Sequence, residues 1–208
     1  MMKVLLINGS PEANGCTWRA LKEIADTLEA EGVEAEIAQI GKKKVGGCIG
    51  CGGCARNNHR CVFKDDVVNE ILDKVDTADG MIVGSPVYFG SPNGSLISLM
   101  DRMYMAGINY KFKPAAAICS ARRAGTTSTI DVINKYFLMA DQPIVPSNYM
   151  NMVHGATAAD VEKDEEGLQT MRILGRNMAY MLKCFEAGRK AGLKEPELEE
   201  KVKTSYIR

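Results

Sequence analysis

The chain has 208 residues, enough for one domain with a well-buried core. Hydrophobic residues make up 46% and charged residues 25%, and 26 Lys+Arg balance 26 Asp+Glu, so a net charge of zero argues against a global nucleic-acid footprint. No run approaches the ~18 apolar residues that a membrane span needs.

The N-terminal stretch MMKVLLINGSPEANG carries one Lys before a short apolar run. It is too short for a signal peptide, so Lys3 to Asn8 is expected as a buried strand and the cytosol as the default compartment. Thr17 to Glu31 follows as an amphipathic helix, with Leu21, Ile24, Ala25 and Leu28 on one face and Gly32 as its stop. Val33 to Ile40 alternates like a strand and leads into a cysteine-rich loop, residues 46–64. Asp65 or Asp66 caps a helix through Val75. Gly80 to Pro86 is a third strand. A helix from Gly94 carries Leu96, Leu99, Met100 and Met103 inward. Pro114 to Ser120 is a fourth strand, Thr127 to Met139 a helix, and Pro143 to Asn148 a Pro-interrupted fifth strand. Glu165 to Ala187 is a long last helix. The domain is expected over 1–193, with a polar tail over 194–208.

Strands that alternate with helices imply a parallel sheet covered on both faces. Five strands and five helices fit the doubly wound order 2-1-3-4-5, which binds ligands beyond the carboxyl ends of its strands. Each loop at that edge is therefore a candidate site. The first, NGSPEANGCT (Asn8 to Thr17), offers glycines, hydroxyls and backbone amides at a helix N-terminus, a phosphate cradle that is neither a G-x-G-x-x-G nor a Walker A sequence. The second, GSPVYFGSPNGS (Gly84 to Ser95), holds Val87, Tyr88 and Phe89 between two Ser-Pro turns, a wall for a planar aromatic ligand. The third, CSARRAGTT (Cys119 to Thr127), carries Arg122 and Arg123, suited to an anionic flavin or a pyridine-nucleotide phosphate.

These three segments resemble the NADPH-dependent FMN reductase family of flavodoxin-like α/β proteins, over roughly residues 2 to 185. The resemblance implies FMN as cofactor. It assigns the phosphate to Ser10, Asn14, Gly15, Cys16 and Thr17, the isoalloxazine ring to Pro86, Val87, Tyr88 and Phe89, and the flavin edge to Ser120, Arg122 and Gly125. Glu12 departs from the family pattern, standing where many relatives carry a basic residue, which leaves the phosphate to neutral donors. No side chain is assigned as catalytic, because the cofactors carry the chemistry.

The stretch CIGCGGCARNNHRC places Cys48, Cys51, Cys54 and Cys61 in a C-x2-C-x2-C-x6-C spacing. Such a set holds a cluster through four thiolates, or zinc with His59 replacing one thiol, or consists of disulfides or free thiols. Five glycines between Gly46 and Gly53 admit close approach to the sulfurs, and residues 42–64 carry six basic residues and no acidic one. A compact four-cysteine motif in this fold resembles the iron–sulfur flavoproteins of anaerobes, which implies a [4Fe–4S] cluster exchanging electrons with FMN. The loop leaves the second strand at the flavin edge, so the two cofactors are expected to meet within one subunit or across an oligomer interface. A ferredoxin-type redox partner, a small-molecule acceptor and NAD(P)H as donor follow as candidates. The alternatives are an NAD(P)H-dependent reductase of free flavin, quinone or nitro/azo compounds without a cluster, and a zinc-stabilised flavin-binding module. Cys119 and Cys184 read as packed side chains, Cys16 as a thiol with its pKa lowered by a helix N-terminus, and His154 as unpaired. The methionine-rich stretch Ser95 to Tyr110 is too apolar for one buried helix face and points to a subunit interface, hence a dimer or tetramer.

Overall fold

The computed structural model describes residues 1–197, 199–200, 202, 204 and 206; the expected tail, 194–208, lies partly outside them. Lys3–Asn8 forms β1 at the centre of the sheet, flanked by β2 (Glu34–Gln39) and β3 (Gly80–Tyr88). Beyond β3 come β5 (Ala115–Ala121) and β6 (Met152–His154). All four neighbouring pairs are parallel, in the order β2-β1-β3-β5-β6. This is the expected flavodoxin-like doubly wound sheet. A two-residue β4 (Ser91–Pro92) adds an antiparallel hairpin to the carboxyl end of β3.

Period-two alternation sends β1 side chains to opposite faces. Leu5 and Ile7 meet α2 (Val68–Thr77), α3 (Gly94–Ala106) and α4 (Thr126–Met139). Val4 and Leu6 meet α1 (Cys16–Ala30) and α6 (Glu165–Lys190) on the other side. Both faces are covered, which is why the central strands read as unbroken apolar runs.

The fifth strand differs from expectation. Only Ile144 of Pro143 to Asn148 bridges the sheet, opposite Ala115. The pairing ends at Val145, whose N–H donates to the Ala115 carbonyl at 2.8 Å, and the chain detours before it rejoins β5 as β6. Asn151 spans the gap: its side-chain amide donates to the Ala117 carbonyl at 3.1 Å, and its own carbonyl accepts from the Cys119 N–H at 3.0 Å. The polar connection after β6 also holds a short α5 (Ala158–Val161), started by a capping box between Thr157 and Asp160.

Candidate functional site

A recess of about 320 Å³ opens at the carboxyl edge of the sheet. Ser10, Glu12, Gly15, Cys16 and Thr17 line it from the first loop, Pro86, Val87 and Tyr88 from the end of β3, and Ser120, Ala121 and Arg122 from the end of β5. A fourth segment, Gly155 to Thr157, completes it. The first loop is held by Asn8, whose side-chain oxygen accepts from the Ser10 N–H at 3.1 Å and whose amide donates to Gln39. Gln39 in turn donates to the Ser10 carbonyl at 2.6 Å. Gly15 caps α1 without a side-chain hydrogen bond, and no acidic residue stands in the first turn. The amides there and the positive end of the helix dipole suit an anion. Thr17 and Ser120 are buried, and their hydroxyls lie 2.8 Å apart. One hydroxyl proton bridges the two oxygens, and the other remains to donate into the recess. Glu12, which also lines the recess, forms an exposed ion pair with Lys42 at 2.8 Å, which offsets its charge beside those amides.

Three expected residues stand outside the lining. Asn14 is exposed and does not line the recess. Phe89, with φ 51°, is the first of two positive-φ residues at the tip of the β3–β4 hairpin, and its ring projects into solvent rather than forming a wall. Gly125 supports that hairpin from below: a Cβ there would lie 2.7 Å from Gly90 Cα and 2.8 Å from Val87 Cγ1, and its φ is +92°.

The four motif cysteines line a second recess, with Phe63, Arg102 and Met105. Gly50 and Gly52, both at positive φ, turn the chain between Cys48, Cys51 and Cys54. Asn57 and Asn69 knit the loop by donating to the Cys61 carbonyl at 3.2 and 2.9 Å. Arg102 reaches the recess from the buried face of α3. Its Nε donates to Cys61 Sγ at 3.3 Å, its Nη1 to Asp66 and to the Gly46 carbonyl, and its Cζ lies 5.6 Å from the centre of the Phe63 ring. Burial works against the Arg102 charge, but the hydrogen bonds to Asp66 and Cys61 outweigh it and hold the pKa above its ordinary value. Among the described residues, no three His, Cys, Asp or Glu side chains converge as ligands of a single ion do. The seven cysteines are free thiols.

The cysteine loop leaves the carboxyl edge and folds back over α2 and α3. Arg102 and Met105 lie eight and eleven residues into α3 from Gly94, which at 1.5 Å per residue is about 12 and 16 Å from that edge. The two recesses share no lining residue.

Residues 2–157 match the NADPH-dependent FMN reductase family. The chain belongs to that family. It is a flavin-dependent oxidoreductase. Two curated relatives are iron-sulfur flavoproteins of Methanocaldococcus jannaschii. One is 36% identical over 89% of this chain and 100% of its own length, the other 30% identical over 82% and 92%. A WrbA-like flavodoxin from Agrobacterium tumefaciens superposes with a TM-score of 0.63, over 88% of this chain and 99% of that one, at 14% identity, a likeness of fold.

Several expectations change within this family frame. Burial pushes the Cys16 thiol up, overriding the helix N-terminus, and its Sγ donates to the Gly155 carbonyl at 3.5 Å. Cys184 is exposed rather than packed, whereas Cys119 is buried as expected. His154 is partnered: its backbone N–H donates to Asp164 at 2.6 Å, and its ring lies 4.0 Å from the same carboxylate. The His59 ring engages the Ala106 carbonyl at 2.8 Å and does not line the cysteine recess. Two of the six basic residues near the cysteines have acidic partners, Lys42 with Glu12 and Arg60 with Asp73 and Asp76. Much of the Ser95 to Tyr110 stretch is buried in the chain itself, but Met105 is exposed at an open groove of about 800 Å³ with Tyr104, Tyr136 and Met139.

Sequence reasoning missed Gly155 to Thr157, although the Thr157-x-x-Asp160 capping pattern marks a loop entering a helix. It also missed Arg102. The signal there was one arginine among the inward-facing apolar positions of α3.

Proposed function

We propose that this chain is an iron–sulfur flavoprotein in which FMN binds the carboxyl-edge recess and Cys48, Cys51, Cys54 and Cys61 hold a [4Fe–4S] cluster. The observation that carries this reading is that the four thiols line one recess, a donor set suited to the group. A cubane presents four separate iron corners, so its thiolates need not converge on one point, as zinc ligands must. The names of the two relatives support the same reading.

The amides at the α1 N-terminus, with Ser10, Thr17 and Ser120, receive the FMN phosphate. Pro86, Val87 and Tyr88 face the ring, and Arg122 flanks its edge. When bound, FMN supplies one- and two-electron chemistry and the cluster supplies one-electron steps. Separation of the two recesses favours exchange across a subunit boundary, so the working unit is at least a dimer. A ferredoxin-type protein or NAD(P)H serves as donor, and a small molecule as acceptor.

A second reading, an NAD(P)H-dependent reductase without a cluster, is favoured by the family match itself. Iron and acid-labile sulfide per FMN, measured on anaerobically prepared protein, separate the two. About four of each supports the iron–sulfur reading. Negligible sulfide after reconstitution, or stoichiometric zinc, overturns it and leaves the flavin reading intact.

A further inference from the structure

Arg102 is a charged side chain placed where α3 otherwise presents Leu99, Met100 and Met103 to the core. Its backbone partners, Gly46 and Phe63, come from the two ends of the cysteine loop. Asp66 supplies the countercharge, and the two side chains are 2% and 5% exposed. Nη1 donates to Asp66 and to the Gly46 carbonyl at 3.2 Å, and Nη2 to the Phe63 carbonyl at 3.5 Å. The Nε–H is aimed at Cys61 Sγ instead, at 3.3 Å.

Hydrogen bonds to ligand sulfurs and nearby net charge set the potential of a thiolate-bound cluster. Water and salt screen a buried pair weakly. We propose that the Asp66–Arg102 pair sets the reduction potential at the cysteine recess through Cys61. Arg102 is a positioning residue that holds a fixed positive charge and one N–H against a single ligand sulfur, and Asp66 determines how much of that charge the sulfur feels. This rests on the iron–sulfur reading above. One-electron reduction by dithionite takes the core from 2+ to 1+, with four thiolates unchanged, so the added negative charge is stabilised by Arg102 and opposed by Asp66.

The pair gives shifts of opposite sign, which a loop clamp does not. Arg102→Gln leaves the Asp66 carboxylate uncompensated and lowers the potential. Asp66→Asn keeps an acceptor for Arg102, frees its charge and raises the potential. Each change is expected at about tenfold in the reduction equilibrium, about 59 mV for one electron.

The experiment is an EPR-monitored redox titration of the full-length protein, purified anaerobically, with iron, sulfide and FMN determined first. Opposite shifts with iron and FMN retained support the proposal. Unmoved potentials, or shifts of the same sign, in iron-replete variants overturn it alone. If Arg102→Gln loses its iron, Asp66→Asn decides, and an unmoved or lowered potential there overturns the proposal. Iron loss in both variants makes the pair a loop clamp and also overturns it. Wild-type protein without iron and sulfide overturns the iron–sulfur reading, and this proposal with it.

Discussion

The hydroxyls of Thr17 and Ser120 meet at 2.8 Å although 103 residues separate them in the chain. The contact joins the first turn of α1 to the end of β5, across the edge where the first loop and the β5 loop face each other.

Thr17→Ala is expected to weaken FMN binding by tenfold or more, because a hydrogen bond to a charged group contributes roughly 1.5–3 kcal/mol. Flavin fluorescence titration of the apoprotein measures it. Unchanged affinity removes Thr17 from the phosphate site. Ser120→Ala should have a smaller effect, since Thr17 can then donate directly.

Replacing any one of Cys48, Cys51, Cys54 or Cys61 with Ser should lower iron and sulfide content while FMN stays bound, because the two recesses share no residue. Chemical analysis and the visible spectrum check both halves. Parallel loss of iron and flavin would show that the recesses are coupled.

Gly125→Val should disturb the β3–β4 hairpin. Its Cβ would meet Gly90 and Val87, and its φ of +92° is strained for any L side chain. A loss of about 1–3 kcal/mol is expected, read as a lower thermal midpoint, together with weaker flavin binding as Val87 and Tyr88 shift. A variant as stable and as flavin-loaded as wild type would show that the hairpin has room to move.

Burial pushes the Cys119 thiol up to about 12. Its folded pKa lies above the unfolded value, so the folded state keeps a proton that the unfolded state releases. The stabilising effect is complete below about pH 8.5 and is lost as pH rises through about 12, at up to ~1.4 kcal/mol per pH unit. Cys119→Ala should flatten the fall in stability above pH 9, measured by urea denaturation. Half-buried Tyr104 and buried Tyr110, also pushed up by desolvation, add to the same fall at higher pH. An identical pH slope in wild type and variant would exclude Cys119 from it.

Met105 and Met139 are exposed on the groove between α3 and α4. If a second copy covers this face, Met139→Asp should shift the protein to monomer in sedimentation velocity at micromolar concentration. A wild-type monomer in the FMN-loaded form would argue against the dimer.

The strand order and the three carboxyl-edge loops were legible in the sequence. Short unbroken apolar runs such as Lys3–Asn8 and the Gly- and Pro-rich segments that end them are local signals, and parallel pairing with right-handed crossovers leaves few arrangements. The split of the last strand was half legible, through Pro146, but the side chain of Asn151 standing in for a backbone bond required the neighbouring strand. Phe89 reads as part of a ring wall because it continues the apolar run of Val87 and Tyr88, which do line the recess. The two-residue hairpin turn, set by pairing of β3 with β4, rotates it outward.

The sequence by itself determined the sheet, the polar and Gly-rich edge of the first loop, and four thiols close together, because each depends on residues near one another in the chain. Only the tertiary structure decided that the cysteine loop folds back along α3, that Asp66 and Arg102 close beside Cys61, and that Thr17 reaches Ser120. These contacts join distant segments, and burial of their polar groups is tolerated only because each finds a specific hydrogen-bonding or charged partner. Composition and periodicity register which residues are buried, but not which partner each one finds.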